Sequence, residues 1–132
     1  MSDKIEIIKV SCAICVNNNR VFLAKRSKGK HLEGFWEFPG GKIENYENPR
    51  DALVREIQEE LETKIEILSY FGSNTYSYEK KSIELTSFLC NIDTNQIKLN
   101  VHDEVRWFNK SELSMIKIAP ADIPLLEKIK FY

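Results

Sequence analysis

The stretch Gly41–Ile65, GKIENYENPRDALVREIQEELETKI, decides the fold. Asn48-Pro49 is a helix start: a side chain able to cap, then a residue whose missing N–H costs nothing at the first helical position. From Pro49 to Leu61 apolar residues recur at helical spacing. At about 100° per residue, Leu53, Val54, Ile57 and Leu61 fill one arc, while Glu56, Glu59 and Glu60 fall within an adjoining arc roughly 100° wide. One face is therefore built to pack on a sheet, and the next presents three carboxylates. Like charges so close repel one another, and a hard divalent cation prefers such oxygen ligands. Arg55 is placed to pin one carboxylate. A solvated Glu-rich face would carry the same E-x-x-E-E, so the upstream residues must separate the two readings.

Upstream stands FWEFPGGKIE, Phe35–Glu44, with a Gly-Gly turn that suggests phosphate chemistry. The pattern G-x5-E-x7-R-E-U-x-E-E, with U aliphatic, is filled by Gly41, Glu47, Arg55, Glu56, Ile57, Glu59 and Glu60. On these residues the chain resembles the Nudix family. The likeness extends over nearly the whole chain and implies an α/β/α sandwich around a mixed, partly antiparallel sheet. Two late positions depart from the family pattern: a Gly is replaced by Glu62 and an aliphatic residue by Thr63. The Gly normally serves a left-handed helix end, and a side chain there costs roughly 1 kcal/mol. Neither position carries a metal or a proton.

The chain has 132 residues and a net charge of −1, which fits one domain, residues 1–132, with a real core. That charge argues against a nucleic-acid polymer or a membrane surface as partner. No apolar run approaches 18 residues and no signal peptide is visible, so a cytoplasmic protein is expected. The three cysteines are odd in number and agree with a reducing compartment. Cys12 and Cys15 form a C-x-x-C inside the apolar run KVSCAICV. A strand would send their thiols to opposite faces, so neither zinc nor redox chemistry is expected. His31 and His102 lack metal-ligand spacing and read as loop residues.

A coarse pass gives mixed α/β order. Strands are expected over residues 4–16, 20–25, 36–38, 65–78, 82–91, 97–100 and 104–108. The helix over 49–61 is followed by a helical turn over 111–115 and a last helix over 123–130, with Pro124 in its first turn.

The flanking sequence resembles the MutT-type branch, the nucleoside triphosphate pyrophosphohydrolases. KVSCAICVNNNRVFLAKRS resembles its opening strand pair. The tail APADIPLLE, Ala119–Glu127, resembles that of bacterial CTP pyrophosphohydrolases and their 8-oxo-dGTP diphosphatase relatives. The resemblance implies Mg²⁺, with Mn²⁺ also open, on Glu56, Glu59, Glu60 and the Gly40 carbonyl. It makes Glu56, Glu59, Glu60 and Arg55 the catalytic group, with Gly41 and Glu47 supporting the turn and helix from behind. It implies attack of water on the β-phosphorus of a nucleoside triphosphate, releasing the monophosphate and pyrophosphate. Arg26, Lys42 and Lys81 are the phosphate candidates, Phe38 and Trp36 flank the base, and Asp122 reads its edge. The plain alternatives are sheet core for Phe38 and Trp36, solvated surface for Arg26, Lys28 and Lys30, and an N-cap of the last helix for Asp122.

Many relatives carry a further Glu six residues before the Trp that closes the late strand. Here Trp107 fits that Trp but the position holds Val101, which leaves Asp103 or Glu104 as substitutes. Cytosine, adenine and oxidised guanine all fit an Asp at 122. Hydrolysis of ADP-ribose or a dinucleoside polyphosphate, or a non-catalytic nucleotide-sensing role, are the alternative functions. Both a monomer and a homodimer are compatible with the chain.

Overall fold

The apolar run from Glu6 does not stay in one sheet. In the computed structural model, which describes residues 4–131, β1 (Glu6–Ile14) ends one residue before Cys15, and β2 (Val16–Asn17) belongs to a second sheet. β1 lies parallel to β7 (Lys81–Ile92) and antiparallel to β5 (Gly40–Lys42). β6 (Ile65–Tyr78) completes this mixed sheet, in the order β5-β1-β7-β6. In the second, all-antiparallel sheet, β3 (Arg20–Arg26) pairs with β2, β4 (Trp36–Glu37) and β8 (His102–Asn109).

Side-chain alternation divides the core. Cys12, Ile14 and Leu85 pack with Leu125 and Leu126 on one side. Ala13, Cys15, Phe88 and Cys90 pack with Leu53, Ile57 and Leu61 on the other. Helices thus cover both faces of the mixed sheet, the sandwich that the resemblance implies. Burial pushes all three thiols upward, Cys90 to about 12, so they act as small apolar side chains.

α1 (Pro49–Leu61) starts where the sequence places it: Asn48 Oδ1 accepts the Asp51 N–H at 2.9 Å. Its buried stripe is Ala52, Leu53, Ile57 and Leu61. Val54, expected in that stripe, is 47% exposed, and Ala52 takes its place against the sheet. Glu62 takes the left-handed conformation at φ 50°, ψ 43° that the departed glycine would favour.

Residues 97–100, expected as a strand, instead cap the helix end. Lys98 N–H reaches the Leu61 carbonyl at 2.9 Å, Asn100 N–H the Glu60 carbonyl at 3.1 Å, and Asn100 Nδ2 the Glu59 carbonyl at 2.8 Å. Those carbonyls have no partner inside the helix, which is the physical reason the segment abandons a ladder. The last helix is also shorter than expected: a 3-10 turn (Pro120–Asp122) leads into α3 (Ile123–Leu126). α2 (Lys110–Leu113) opens with a capping box between Asn109 and Glu112. Among the described residues, no helix is long and apolar enough to cross a membrane.

Candidate active site

β5 carries the glycine turn to the foot of α1. A Cβ on Gly40 would stand 2.7 Å from the Cys12 Cα, and one on Gly41 2.8 Å from the Glu56 Cγ. Only glycine therefore lets β5 lie against β1 while Glu56 closes over the turn.

Arg55 gathers the acidic face. It makes two bonds to Glu47, Nε to Oε2 at 2.6 Å and Nη2 to Oε1 at 2.8 Å. It also donates to Glu56 Oε1 at 2.8 Å, Glu59 Oε2 at 3.1 Å and the Lys42 carbonyl at 3.0 Å. Glu47 in turn accepts the Glu44 N–H at 3.0 Å. The hydrogen bond from Arg55 holds the Glu47 carboxyl below its ordinary range, and Glu47 raises the guanidinium in return. One arginine thus ties the turn to two of the three helix acids.

The third acid differs. Glu60 is half-buried, its enclosed Oε1 has no hydrogen-bond partner among the described residues, and desolvation, reinforced by Glu56 and Glu37, pushes its carboxyl up to about 8. Among the described residues no three ligating side chains are already closed into a metal cluster, and Glu59 is turned to Arg55 with 59% of its side chain exposed. The orphaned buried oxygen beside a second carboxylate nevertheless suits a divalent cation, which would satisfy the one and neutralise both.

Glu56 and Glu60 form one wall of a cavity of about 580 Å³ that also takes in Arg26, Lys42, Gly40, Gly41 and Asp122. Ile8, Val10, Ile83 and Tyr76 make it apolar on the far side, and the His31 ring stacks on Tyr78 at 5.8 Å. Asp122 reaches the cavity because residues 117–119 run beside β4. Trp36 N–H bonds the Lys117 carbonyl at 2.8 Å, and Ala119 N–H bonds the Trp36 carbonyl at 2.9 Å. Asp122 Oδ2 then accepts the Phe38 N–H at 2.8 Å. Its side chain makes no capping bond to α3, so the N-cap role is not the one the fold uses. Burial, then Glu37, push this carboxyl up to about 8 against the Phe38 N–H.

Some expected residues stand elsewhere. Phe38 and Trp36 are core side chains, Trp36 lying edge-on to Phe108 at 4.8 Å, so only the Phe38 backbone faces Asp122. Lys81 is exposed at the start of β7 and is not part of the cavity wall. Asp103 accepts the Lys28 N–H at 3.2 Å, and Glu104 lies 3.9 Å from Arg106; neither lines the cavity. Sequence reading misses Glu37 and reads His102 as a loop residue. His102 instead opens β8, buried, with Nε2 3.0 Å from Glu37 Oε2, while Glu37 Oε1 accepts Arg26 Nη1 at 3.0 Å. The signal was a charge between two aromatics in a strand, since alternation sends Glu37 to the face opposite Trp36 and Phe38.

A family model described as the NUDIX domain matches residues 7–129. A CTP pyrophosphohydrolase from Escherichia coli (strain K12) is 34% identical over 122 residues, covering 92% of this chain and 90% of that protein. An 8-oxo-dGTP diphosphatase from Proteus vulgaris is 38% identical over 89 residues, covering 67% and 80%. The solution structure of a MutT protein from methicillin-resistant Staphylococcus aureus superposes with a TM-score of 0.73 at 34% identity, covering 94% of this chain and 95% of that one. A family match over nearly the whole chain, joined by relatives above 30% identity, leads to one conclusion: this protein belongs to the Nudix hydrolases.

Proposed function

We propose that this protein hydrolyses a nucleoside triphosphate, unmodified or oxidised, to the monophosphate and pyrophosphate, using magnesium or manganese. Glu60 carries the reading: a half-buried carboxylate whose enclosed Oε1 is unpartnered among the described residues, next to Glu56, in the wall of a cavity that also contains Asp122. Glu56, Glu59, Glu60 and the Gly40 carbonyl are the residues to hold the ion. When bound, a divalent ion neutralises charge on the phosphate oxygens and makes water a better nucleophile.

The chain's own groups do the remaining work. Arg55 holds Glu56 and Glu59 in one orientation, and Glu47 holds Arg55. Arg26 and Lys42, both in the cavity wall, supply cations for the phosphates. Asp122 offers its second oxygen to the edge of the base while its first is held by the Phe38 N–H. The water oxygen bonds to the β-phosphorus, and the bridging oxygen leaves with the monophosphate. Support for a cytosine or damaged-purine substrate comes from the names of the CTP pyrophosphohydrolase and 8-oxo-dGTP diphosphatase relatives.

The test is a Mg²⁺-dependent panel of CTP, dCTP, 5-methyl-dCTP, 8-oxo-dGTP, dGTP, ADP-ribose and diadenosine tetraphosphate, scored for pyrophosphate and phosphate. Pyrophosphate from one or a few triphosphates is expected. Activity confined to ADP-ribose or the dinucleotide would overturn the substrate class, and silence throughout would overturn catalysis.

A further inference from the structure

We propose that His102 is a positioning residue for phosphate binding, acting through Glu37 on Arg26. The inference rests on reading Arg26 as a phosphate contact.

The three side chains come from neighbouring strands of the small sheet. Ala24 of β3 pairs with Val105 and Lys25 with Glu104, so a regular ladder would set Arg26 opposite Asp103. A bulge between Lys25 and Arg26 sets it opposite His102 instead. A one-residue slip exchanges the faces of a strand, so the bulge brings the imidazole to Glu37 and leaves Asp103 to accept the Lys28 N–H. Glu37 arrives from β4, whose Trp36 pairs with Lys25.

Both Glu37 oxygens are engaged, one by Arg26 Nη1 and one by His102 Nε2, each at 3.0 Å. The His102 side chain is 4% exposed and its Nδ1 has no partner among the described residues. The tautomer that orphans no buried donor carries its proton on Nε2, aimed at Glu37. Arg26 is held a second time through Nε, which donates to the His31 carbonyl at 2.6 Å. Two of its five N–H groups are thereby used, and three remain for an anion. A carboxylate gripped from both sides cannot turn away from the guanidinium, so the arginine is oriented before the phosphate arrives.

The test is calorimetric titration of the protein with inorganic tripolyphosphate, run beside kcat and KM on any nucleotide it hydrolyses. His102→Leu is expected to weaken tripolyphosphate about tenfold and raise KM about tenfold, with kcat changed less than about threefold. His102→Gln, whose amide nitrogen replaces Nε2, is expected to restore affinity to within about threefold. In an Arg26→Ala background, His102→Leu is expected to add no further loss. Unchanged affinity in His102→Leu, equal losses in the Leu and Gln variants, additive losses with Arg26→Ala, or no tripolyphosphate binding by the parent protein would each overturn the inference. Should Leu at 102 prevent folding, Glu37→Gln carries the same cycle with Arg26→Ala. If no nucleotide in the panel is hydrolysed, the substrate reading fails while the tripolyphosphate titration still decides this one.

Discussion

At the residue scale, the surroundings of three carboxyl groups of the proposed site set them apart. Glu59 is exposed and held by Arg55, Glu60 is half-buried with its Oε1 enclosed and unpartnered among the described residues, and Asp122 is buried against a backbone N–H. Glu59→Gln is expected to lower turnover at least about 100-fold with an unchanged circular dichroism spectrum, as loss of a catalytic group should. Near-normal activity would remove Glu59 from the metal site. Asp122→Ala is expected to change the ranking of bases more than the rate of phosphate release. It also strands the Phe38 N–H, for about 1–3 kcal/mol of stability in chemical denaturation. Equal losses on every nucleotide would refute base reading.

Asp122 also carries a pH signature. Its ordinary value of 3.8 is raised to about 8 in the fold, chiefly by burial. Between those values the folded protein holds a proton that the unfolded chain has released. Protonation therefore favours the fold, and that advantage is lost as pH rises toward 8. The Tm difference between wild type and Asp122→Asn is accordingly expected to shift against wild type from pH 5 to pH 8. A constant difference would mean that the carboxyl stays ionised throughout.

At the scale of elements, the end of α1 departs most clearly from its family. Glu62 accepts a left-handed backbone that glycine tolerates better, and the loop before β8 compensates by supplying donors to the Glu59, Glu60 and Leu61 carbonyls. Glu62→Gly should relieve roughly 1 kcal/mol of backbone strain, less whatever the Asn100 contact to Glu62 Oε2 contributes. A rise in the urea midpoint is the expected result, and a fall would show that the loop contact outweighs the strain. Asn48 and the Leu53–Ile57–Leu61 stripe were legible because capping and helical period are local signals. β4 falls within the strand expected over residues 36–38, whereas β5, with three residues, carries no period to read and emerges only as a partner of β1.

For the whole molecule, the cavity exists because two sheets, α1 and the tail meet there. Glu60 comes from the helix, Arg26 and Glu37 from the small sheet, and Asp122 from the tail. A divalent ion on the acidic wall should raise the melting temperature, since it binds the folded arrangement and not the unfolded chain. Adding EDTA is expected to abolish hydrolysis while leaving the secondary structure intact, and Glu60→Gln to remove most of the Mg²⁺-dependent rise in Tm. A rise that survives in Glu60→Gln would place the ion elsewhere.

The sequence by itself determined the helix, its cap and the spacing of its acids, because each depends on residues within a few positions of one another. Tertiary structure alone decided that Glu60 is the acid with an enclosed, unpartnered oxygen, that Phe38 turns inward, and that His102 pairs with Glu37. Those outcomes depend on contacts between residues as far apart as Phe38 and Asp122, and on one strand bulge. Burial and register are properties of the assembled sheets, and no local pattern encodes them.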